Sequence, residues 1–463
     1  MEKTLKKFPS APRLRTLIGP SFLILAMGLG SGEVILWPYM VANYGLGIVW
    51  GAVVGLTFQF FINMEIERYA LVRGESVFVG LSRLFRRVPY WFIISTFFSF
   101  GLPGIVAASA QVLSSALGWE SFKYLAIFLL LLIGLVLSAG KTIYGLMERT
   151  TKTVIMAGVP FVFLLVLIIA SRHDWSMLVA GLVGRGEGFH FLPEGISLAT
   201  FLAAFAYSGA GGNLNLTQSI YIKEKGYGMG KYAQKIQGLF RGGKQEEVRL
   251  AGPDFSVDQE NVSRFRQWWR LITKEHFMVF WTLGLVSILL LMLMSYSTVY
   301  GQAGNEQGIL FVIREGTAVG QALAPWLGLA FLGVIGLMLF QTQLGVMDST
   351  SRIMSENYAL LKLKGQVSGQ IHLSRIYYYF LWSQIAFGIF LFLIDVYEPK
   401  TLIVLAAILS AVSMFVHIGL VYRLNRRSLP AACQASPARR ALILGIFCLF
   451  GVFSAFVIAT SLF

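Results

Sequence analysis

The sequence predicts an all-α polytopic membrane protein with eleven transmembrane helices, and three observations support this class. Hydrophobic residues make up 56% of the 463-residue chain, whereas charged residues make up only 13%. A soluble protein with so few charges would leave a large apolar surface in contact with water. Apolar stretches of about 20 residues, the length that crosses a bilayer, recur along the whole chain. The basic residues, finally, are concentrated in alternate loops between these stretches.

The apolar stretches use nearly all of the hydrophobic sequence, so residues 1–463 are expected to form a single transmembrane domain. The predicted spans are 17–42, 47–67, 90–117, 122–140, 153–171, 196–222, 276–298, 322–346, 375–394, 401–422 and 440–462. The longest polar segment, residues 223–275, lies between the sixth and seventh spans. The first 15 residues are polar and basic without a short apolar core, so no cleavable signal peptide is expected.

The distribution of Lys and Arg predicts the orientation in the membrane. The N-terminal segment and every second loop contain 5, 5, 3, 11, 4 and 5 basic residues, which are 33 of the 38 in the chain. Because Lys and Arg are retained on the cytoplasmic side, the N-terminus is expected in the cytoplasm and the C-terminus outside a cell (inner) membrane. The same asymmetry explains the net charge of +15 without a nucleic-acid partner.

Two spans contain glycine-rich interruptions near their centres. Residues 26–34 of the first span read Ala-Met-Gly-Leu-Gly-Ser-Gly-Glu-Val, and residues 206–214 of the sixth read Ala-Tyr-Ser-Gly-Ala-Gly-Gly-Asn-Leu. Glycine destabilises a helix interior, and unwound backbone at membrane depth must line a cavity or be buried in protein. An alternative is that the glycines only allow close helix packing. Packing does not require Glu33 and Asn213, so we favour two broken helices around a polar site.

The interrupted spans are the first and the sixth, which is the spacing expected of two inverted five-helix repeats. In such proteins the substrate binds near the midplane, between half-helix ends and freed carbonyl groups. The residues alone therefore predict a secondary transporter that works by alternating access. Neither a phosphate-binding loop nor a nucleophile triad is recognisable, so we expect neither an enzyme nor an ATP-driven pump. Cys433 and Cys448 are too few for a disulfide framework or a cysteine metal cluster.

Three segments resemble the Nramp (natural resistance-associated macrophage protein) family of divalent metal transporters. The run from Gly19-Pro20-Ser21-Phe22 to Gly32 is similar to the first helix of that family, and residues 210–216 are similar to its sixth-helix motif. Residues 67–74 are similar to the segment that follows its second helix. The resemblance implies a leucine-transporter-like fold. It also implies a substrate site built from positions 30, 33, 207, 210 and 213.

The departures from the family pattern fall on these site positions. Gly30 stands where the family has a metal-binding Asp, Glu33 where it has Asn, and Ala210 where it has Met. The loss of the thioether removes the ligand that favours soft transition metals. Gly212 replaces a His that the family uses in proton handling, and the acids of the family's third helix have no counterpart in residues 100–105. Transport of Mn²⁺ or Fe²⁺ by the family's usual geometry is therefore not expected.

Glu33 is the acid placed nearest the bilayer centre, where a charge costs roughly 2.5–3.5 kcal/mol on insertion scales. We interpret it as a cation ligand or proton carrier, the alternative being a neutral or helix-capping side chain. The predicted substrate-binding residues are Gly30, Glu33, Tyr207, Ala210, Asn213 and Gln341, with Glu33 and Asn213 as metal ligands. For Asn213 the alternative is satisfaction of the broken backbone, and for Gln341 it is hydrogen bonding between helices.

Charged residues also occur at the inner ends of two spans. Glu67 and Arg68 lie at the end of the second span, and Asp348 and Arg352 lie at the end of the eighth. Such groups are either solvated pairs on a helix surface or components of an inner gate. Residues 223–275 are expected to form a cytoplasmic loop with an interfacial helix around 264–270, its Trp side chains at headgroup level.

These observations predict a secondary active transporter for a divalent or hard metal cation that lacks the usual transition-metal ligands. The alternative is a transporter of an organic solute, such as an amino acid, on the same fold. A third possibility is a binding protein that does not transport. The expected partners are the transported cation or solute and the lipid bilayer, and no resident cofactor is expected.

Overall fold

The computed structural model describes residues 5–13, 17, 19–139, 143–234, 247–363 and 368–462, and helix dominates throughout. The α-helices are α1 (Pro20–Ser31), α2 (Trp37–Tyr44), α3 (Val49–Arg73), α4 (Val77–Leu84), α5 (Val88–Phe100), α6 (Gly104–Ala116), α7 (Lys123–Ala139), α8 (Ile143–Ile169), α9 (Arg172–Leu182), α10 (Leu198–Ala206), α11 (Thr217–Lys225), α12 (Gln259–His276), α13 (Gly284–Val299), α14 (Leu310–Ala322), α15 (Pro325–Lys362), α16 (Leu373–Leu393), α17 (Pro399–Ser428) and α18 (Pro437–Leu462). Short 3₁₀ segments are Leu46–Ile48, Gly212–Leu216, Gly228–Tyr232 and Ala431–Cys433.

Eleven spans can be traced through the described residues, as predicted. Nine helical segments have at least 18 residues and are apolar enough to cross a membrane. Helix α7 supplies a shorter span of 17 residues. The remaining span consists of α10 and α11, which are separated by the glycine-rich break. The all-α membrane class is therefore confirmed.

Two helices extend much further than the apolar pattern predicts. The eighth span was predicted over 322–346, but α15 continues to Lys362. The seventh was predicted from residue 276, but helix begins at Gln259 and passes through a π-helical segment, Phe277–Leu283, into α13. Both extensions are polar, and hydropathy cannot detect a helix whose polar side chains are paired with neighbouring helices.

The two predicted breaks differ in severity. Between α10 and α11 the chain leaves helical geometry, with positive φ angles at Gly209, Gly211 and Gly212. The first span is only kinked, because Leu29 alone has a non-helical ψ of 39° and a π-helical turn, Gly32–Leu36, follows. The expected unwinding over residues 28–33 is therefore reduced to a kink. A further break, not predicted, separates α5 from α6 at residues 101–103, just before the start of α6.

The segment 223–275 differs from the predicted interfacial loop. Residues 235–246 lie outside the described residues, and beyond them strand β1 (Glu247–Arg249) pairs antiparallel with β2 (Ser368–Gln370). Helix α12 is present, and its two Trp side chains contact other parts of the protein. Trp268 is only 4% exposed and donates a hydrogen bond to the carbonyl of Pro9 at 3.0 Å, while the Arg68 guanidinium lies 3.8 Å from the ring centroid of Trp269. These contacts join α12 to the N-terminal segment and to α3.

Candidate functional site

The break between α10 and α11 is held open by side chains from neighbouring spans. The Gln59 amide of α3 donates to the carbonyl of Ala206 at 2.8 Å and accepts from Asn215 at 2.6 Å. The indole of Trp37, at the start of α2, donates to the hydroxyl of Ser208 at 2.9 Å. Backbone and side-chain groups freed by the break are thus satisfied inside the protein, as a water-free membrane interior requires.

Glu33 lies where the first span meets this break. Its carboxylate is so close to the backbone of Gly28 and Gly209 that a Cβ at Gly28 would be 2.8 Å from Glu33 Oε1 and 2.8 Å from Gly209 Cα. The side chain is fully buried. Among the described residues neither carboxylate oxygen has a side-chain hydrogen-bond partner, and the nearest donors are the backbone N–H groups of Glu33 and Gly209. A buried acid paired this incompletely needs a bound proton, cation or water beside it.

The neighbouring glycines of the first span allow close packing. A Cβ at Gly30 would lie 2.3 Å from Cγ2 of Thr342 on α15, and a Cβ at Gly32 would lie 1.8 Å from the carbonyl oxygen of Tyr207. The Thr342 hydroxyl also donates to the carbonyl of Ala26 at 2.8 Å. The close-packing interpretation therefore applies to Gly30 and Gly32. Because these two residues have no side chain, the first span packs close to the break and Glu33 lies against it.

The remaining predicted site residues are also buried. The Asn213 side-chain amide donates to the hydroxyls of Ser95 and Thr96 on α5, at 2.8 and 3.0 Å. Its amide oxygen, the atom that would bind a metal, has no hydrogen-bond partner among the described residues. Ala210 is 2% exposed and Gln341 is 5% exposed.

Beside the break lies a small cavity of about 10 Å³, close to the volume that one water needs. Its lining includes Ser99, Phe100 and Tyr207, together with Gln343 of α15. The Tyr207 hydroxyl is 3.1 Å from that of Ser410. The hydroxyl of Ser99 and both amide atoms of Gln343 have no partner among the described residues. The cavity thus contains unpaired polar atoms, and one of the residues that supply them, Gln343, lies two positions after the predicted Gln341.

No group of three or more His, Cys, Asp or Glu side chains in the described part of the chain is arranged to hold a metal ion. A cation at this site would therefore depend on one carboxylate, Glu33, and on backbone oxygens. Hard cations such as Mg²⁺ and Ca²⁺ accept oxygen ligands of this kind and retain water where protein ligands are few.

Two of the predicted gate residues form a buried bridge between spans. The Arg352 guanidinium of α15 donates to Asp348 at 2.8 Å and to Glu224 of α11 at 2.5 Å. The hydroxyl of Tyr377, on α16, donates to the other oxygen of Asp348 at 2.8 Å. Arg352 is only 1% exposed, so the solvated-pair interpretation does not apply here.

The other two predicted gate residues have different partners. Arg68 pairs with Glu65, three residues earlier on α3, at 3.1 Å, and it donates to the carbonyl of Cys433. Glu67 points elsewhere, to Gln218 and His276 at 2.6 and 3.1 Å. The four residues therefore do not form one gate, and among them Arg352 is the one that connects α15 to α11, where Lys223 and Tyr221 also contact α15 through Glu356 and Ser349.

The described spans form a helical membrane bundle with a buried polar site at a broken span. No protein-family model matches the sequence, and no curated protein matches it. Solved structures do: a substituted form of the manganese transporter of Eremococcus coleocola matches with a TM-score of 0.69 and 13% identity, covering 99% of this chain and 90% of that chain. The same transporter, in complex with an aromatic bis-isothiourea substituted compound, matches with a TM-score of 0.70 and 13% identity, covering 97% and 89%. The predicted Nramp resemblance is confirmed at the level of the fold.

Several residues that shape the site were missed from sequence. Thr342 and Trp37 carry no pattern that distinguishes them from other residues in apolar spans, and their role follows only from which helices meet. Gln59 and Gln343 are amides inside predicted spans, and that feature is detectable in the sequence. Such amides are usually hydrogen-bonded between helices. Gln59 has this ordinary role, whereas Gln343 does not.

Proposed function

We propose that this protein is a secondary active transporter for a hard metal cation, with Glu33 as its single carboxylate ligand. The observation that carries the proposal is the Glu33 carboxylate, fully buried beside Gly28 and Gly209 without a side-chain hydrogen-bond partner among the described residues. The transporter fold supplies the context. One carboxylate and a few backbone oxygens leave a divalent ion with an incomplete shell, which suits a cation that keeps several waters.

Selectivity for soft transition metals is not part of this proposal. The manganese transporter that shares the fold is a structural relative at 13% identity, and its substrate does not transfer to this chain on that basis. Ala210 offers no sulfur, and the space beside Gly30 is filled by Thr342. We further propose that the N-terminus is cytoplasmic, because 33 of the 38 basic residues fall on that side of the predicted topology.

A second candidate is an organic-solute transporter. The observation that favours it is the cavity at Tyr207, where the Ser99 hydroxyl and the Gln343 amide lack partners among the described residues. An unpaired amide and hydroxyl suit a small polar solute with donor and acceptor groups. The cavity of about 10 Å³ would have to enlarge during the cycle to admit one.

The two candidates are separated by transport measurements on reconstituted protein. Proteoliposomes would be tested for saturable uptake of Mg²⁺, Ca²⁺ and Mn²⁺, and in parallel for uptake of labelled amino acids. Metal transport predicts that Glu33→Gln abolishes metal uptake, while Gln343→Leu leaves it nearly unchanged. The solute alternative predicts that Gln343→Leu reduces amino-acid uptake more than Glu33→Gln does. Full metal uptake by Glu33→Gln would contradict the proposal.

The matched control is Glu315→Gln, the same change at another buried acid. Glu315 lies on α14, outside the predicted spans, and is 4% exposed. Its substitution should leave metal uptake intact if Glu33 acts through its position at the break. Folding of each variant is checked by size-exclusion chromatography, and ligand binding by the rise in unfolding temperature on adding metal.

A further inference from the structure

A second buried polar cluster lies away from Glu33, where four elements meet. It consists of Ser21 at the start of α1, Glu67 on α3, Gln218 on α11, and Glu275 with His276 at the end of α12. Glu275 is 3% exposed and the other four are fully buried. Glu67 was assigned to a gate from sequence, and the remaining members had no assigned role.

Hydrogen bonds join these side chains into a continuous chain. Gln218 donates to Glu67 Oε1 at 2.6 Å, and His276 Nδ1 lies 3.1 Å from the same oxygen. His276 Nδ1 also lies 2.9 Å from the hydroxyl of Ser21. Ser21 in turn donates to Glu275 Oε2 at 2.5 Å. The two carboxyl groups are thus connected through one imidazole and one hydroxyl.

The arrangement assigns a proton to Nδ1 of His276. Nδ1 lies next to Glu67 Oε1 and to the hydroxyl of Ser21, which already donates to Glu275. Both neighbours can therefore only accept a hydrogen bond from Nδ1. The ring is stacked between Phe60 and Phe280, with centroids 5.5 and 4.7 Å away. Its Nε2 has no partner among the described residues. A second proton there would be buried without an acceptor, so His276 connects the acids as a neutral imidazole.

The acids themselves are incompletely paired. Glu67 Oε2 and Glu275 Oε1 each lack a hydrogen-bond partner among the described residues, and no Lys or Arg in this part of the chain forms an ion pair with either acid. Glu65, two residues earlier than Glu67 on α3, differs because it pairs with both Arg68 and Arg439. Two connected carboxylates with a neutral imidazole would place two negative charges in a buried site. Such pairs share at least one proton.

Other charged or titratable groups surround the cluster: Glu65, Arg68, Glu148, Lys152, Lys225, Tyr227 and Arg439. The basic members have carboxylate partners of their own. Arg439 donates to Glu65 at 2.6 Å, and Lys152 and Lys225 contact Glu148 at 2.6 and 2.7 Å. Burial alone would raise the pKa of Glu148, but hydrogen bonds from these two lysines outweigh it and lower the pKa. Lys152 is 35% exposed, so this triad connects the neighbourhood of Glu275 to the surface.

The cluster also lies on elements that must move if the broken spans rearrange. Ser21 belongs to the first span and Gln218 to the half of the sixth span beyond the break. His276 directly precedes the π-helical segment Phe277–Leu283. Segments of π-helix occur frequently at functional sites. A change in the charge of the cluster therefore acts on contacts among the first, second, sixth and seventh spans.

We propose that Ser21, Glu67, Glu275 and His276 form a proton-binding site, distinct from Glu33, that holds the coupling proton of the transport cycle. The coupling part of this inference rests on the proposed transport function, whereas proton binding does not. The unpartnered oxygens Glu67 Oε2 and Glu275 Oε1 accept the proton. Its loss leaves the second negative charge, which weakens the packing of these spans and favours their separation.

Proton binding is tested without transport by infrared difference spectroscopy on purified protein between acidic and alkaline pH. A protonated carboxyl group shielded from water has a carbonyl band that disappears on deprotonation. Wild type should show such a band, and Glu67→Gln should lose or shift it. Glu275→Gln should do the same, which covers the case in which one variant does not fold. Glu315→Gln, at a buried acid outside the cluster, should retain the cluster band. A band that neither Glu67→Gln nor Glu275→Gln alters would overturn the proposal.

Coupling is tested in proteoliposomes with a pH-sensitive dye inside and Mg²⁺, Ca²⁺ or Mn²⁺ added outside. Wild type should move protons when metal is added, Glu67→Gln should carry metal without proton movement, and Glu315→Gln should behave as wild type. Metal uptake by wild type without proton movement would overturn the coupling role. If wild type takes up no metal, the proposed metal transport is wrong, and so is the coupling role. Proton binding by the cluster is then decided by the infrared measurement alone. A requirement for Na⁺ in place of a pH gradient would assign the cluster to a metal cation and overturn the proposal.

Discussion

Thr342 of α15 occupies the space that a side chain at position 30 would need: a Cβ built on Gly30 would lie 2.3 Å from Thr342 Cγ2 and 2.4 Å from its hydroxyl. The hydroxyl is bound to the carbonyl of Ala26, one turn earlier on α1. Glycine at 30 and threonine at 342 therefore fit as a pair. Thr342 thus fills the volume beside Gly30 that a larger side chain at position 30 would need.

The first prediction concerns this pair. Gly30→Asp should destabilise the protein by about 1–3 kcal/mol or prevent folding, because it forces an additional side chain into packed volume. The double variant Gly30→Asp with Thr342→Gly should recover part of the lost stability. The measurement is the unfolding temperature in detergent. The control is Gly333→Ala on α15, the helix that carries Thr342. A Cβ at Gly333 would meet nothing within 4 Å. Equal tolerance of Gly30→Asp and Gly333→Ala would contradict the packing argument.

The second prediction concerns the bridge between α11 and α15. Arg352→Met removes the cationic partner of both Asp348 and Glu224, and Asp348 keeps only the hydrogen bond from Tyr377. Breaking a buried pair in this way typically costs about 3–5 kcal/mol. We expect a lower unfolding temperature. A single cysteine introduced near the inner end of α11 should also become more accessible to a thiol reagent, since the bridge joins that end to α15.

Lys123→Met serves as the control for this bridge. Lys123 pairs with Asp395 at 2.7 Å, but Asp395 is 70% exposed, and surface pairs of this kind contribute about 0–1 kcal/mol. Adding Glu224→Gln to Arg352→Met should restore some stability by removing one of the stranded charges. If Arg352→Met is as mild as Lys123→Met, the bridge is not a constraint on the inner end.

Much of the fold was predictable from sequence because the membrane requires it. Apolar length predicted the spans, and the glycines in residues 206–214 predicted the break that the positive φ angles of Gly209, Gly211 and Gly212 confirm. The first span was harder. Its three glycines suggest unwinding, but Gly28 packs against Gly209, Gly30 against Thr342 and Gly32 against Tyr207, and the chain stays nearly helical. Glycine composition alone cannot distinguish a break from a close approach.

The site was less predictable because side-chain direction depends on partners distant in sequence. Glu33 was located correctly at the break, since a lone acid at membrane depth is rare. Asn213 faces the α5 hydroxyls, which no local pattern reveals. Glu67 and Arg68 are adjacent in sequence and were grouped together, yet successive helix positions point about 100° apart. They therefore belong to different networks.

The third prediction concerns pH and Glu315, which lies on α14 between the seventh and eighth spans. Burial raises the pKa of Glu315 to about 8, against a hydrogen bond from Ser295, from an ordinary value of 4.5. Between these two values the folded protein keeps a proton that the unfolded chain releases. The free energy of unfolding should therefore decrease as pH rises through this range, by at most about 1.4 kcal/mol per pH unit.

The check is the unfolding temperature of wild type and Glu315→Gln between about pH 3 and about pH 9. The stability of wild type relative to the variant should fall with rising pH and level off once Glu315 is ionised in both states. Near about pH 3 the acid is protonated in both states, so a constant difference there is the internal control. A difference that stays constant over the whole range would show that Glu315 does not titrate as its burial implies.

The last prediction concerns metal preference at the break. With Ala210 in place of a thioether and Gly30 in place of a carboxylate, calorimetry should find Mn²⁺ and Cd²⁺ binding only weakly, on the order of millimolar. Ala210→Met supplies a soft sulfur ligand at a buried position. It should strengthen Cd²⁺ binding and leave Mg²⁺ binding unchanged, since Mg²⁺ takes oxygen ligands. Ala210→Leu, similar in bulk but without sulfur, should not strengthen Cd²⁺ binding. Micromolar Mn²⁺ binding by wild type that Glu33→Gln abolishes would mean that one carboxylate and backbone oxygens already suffice for a transition metal.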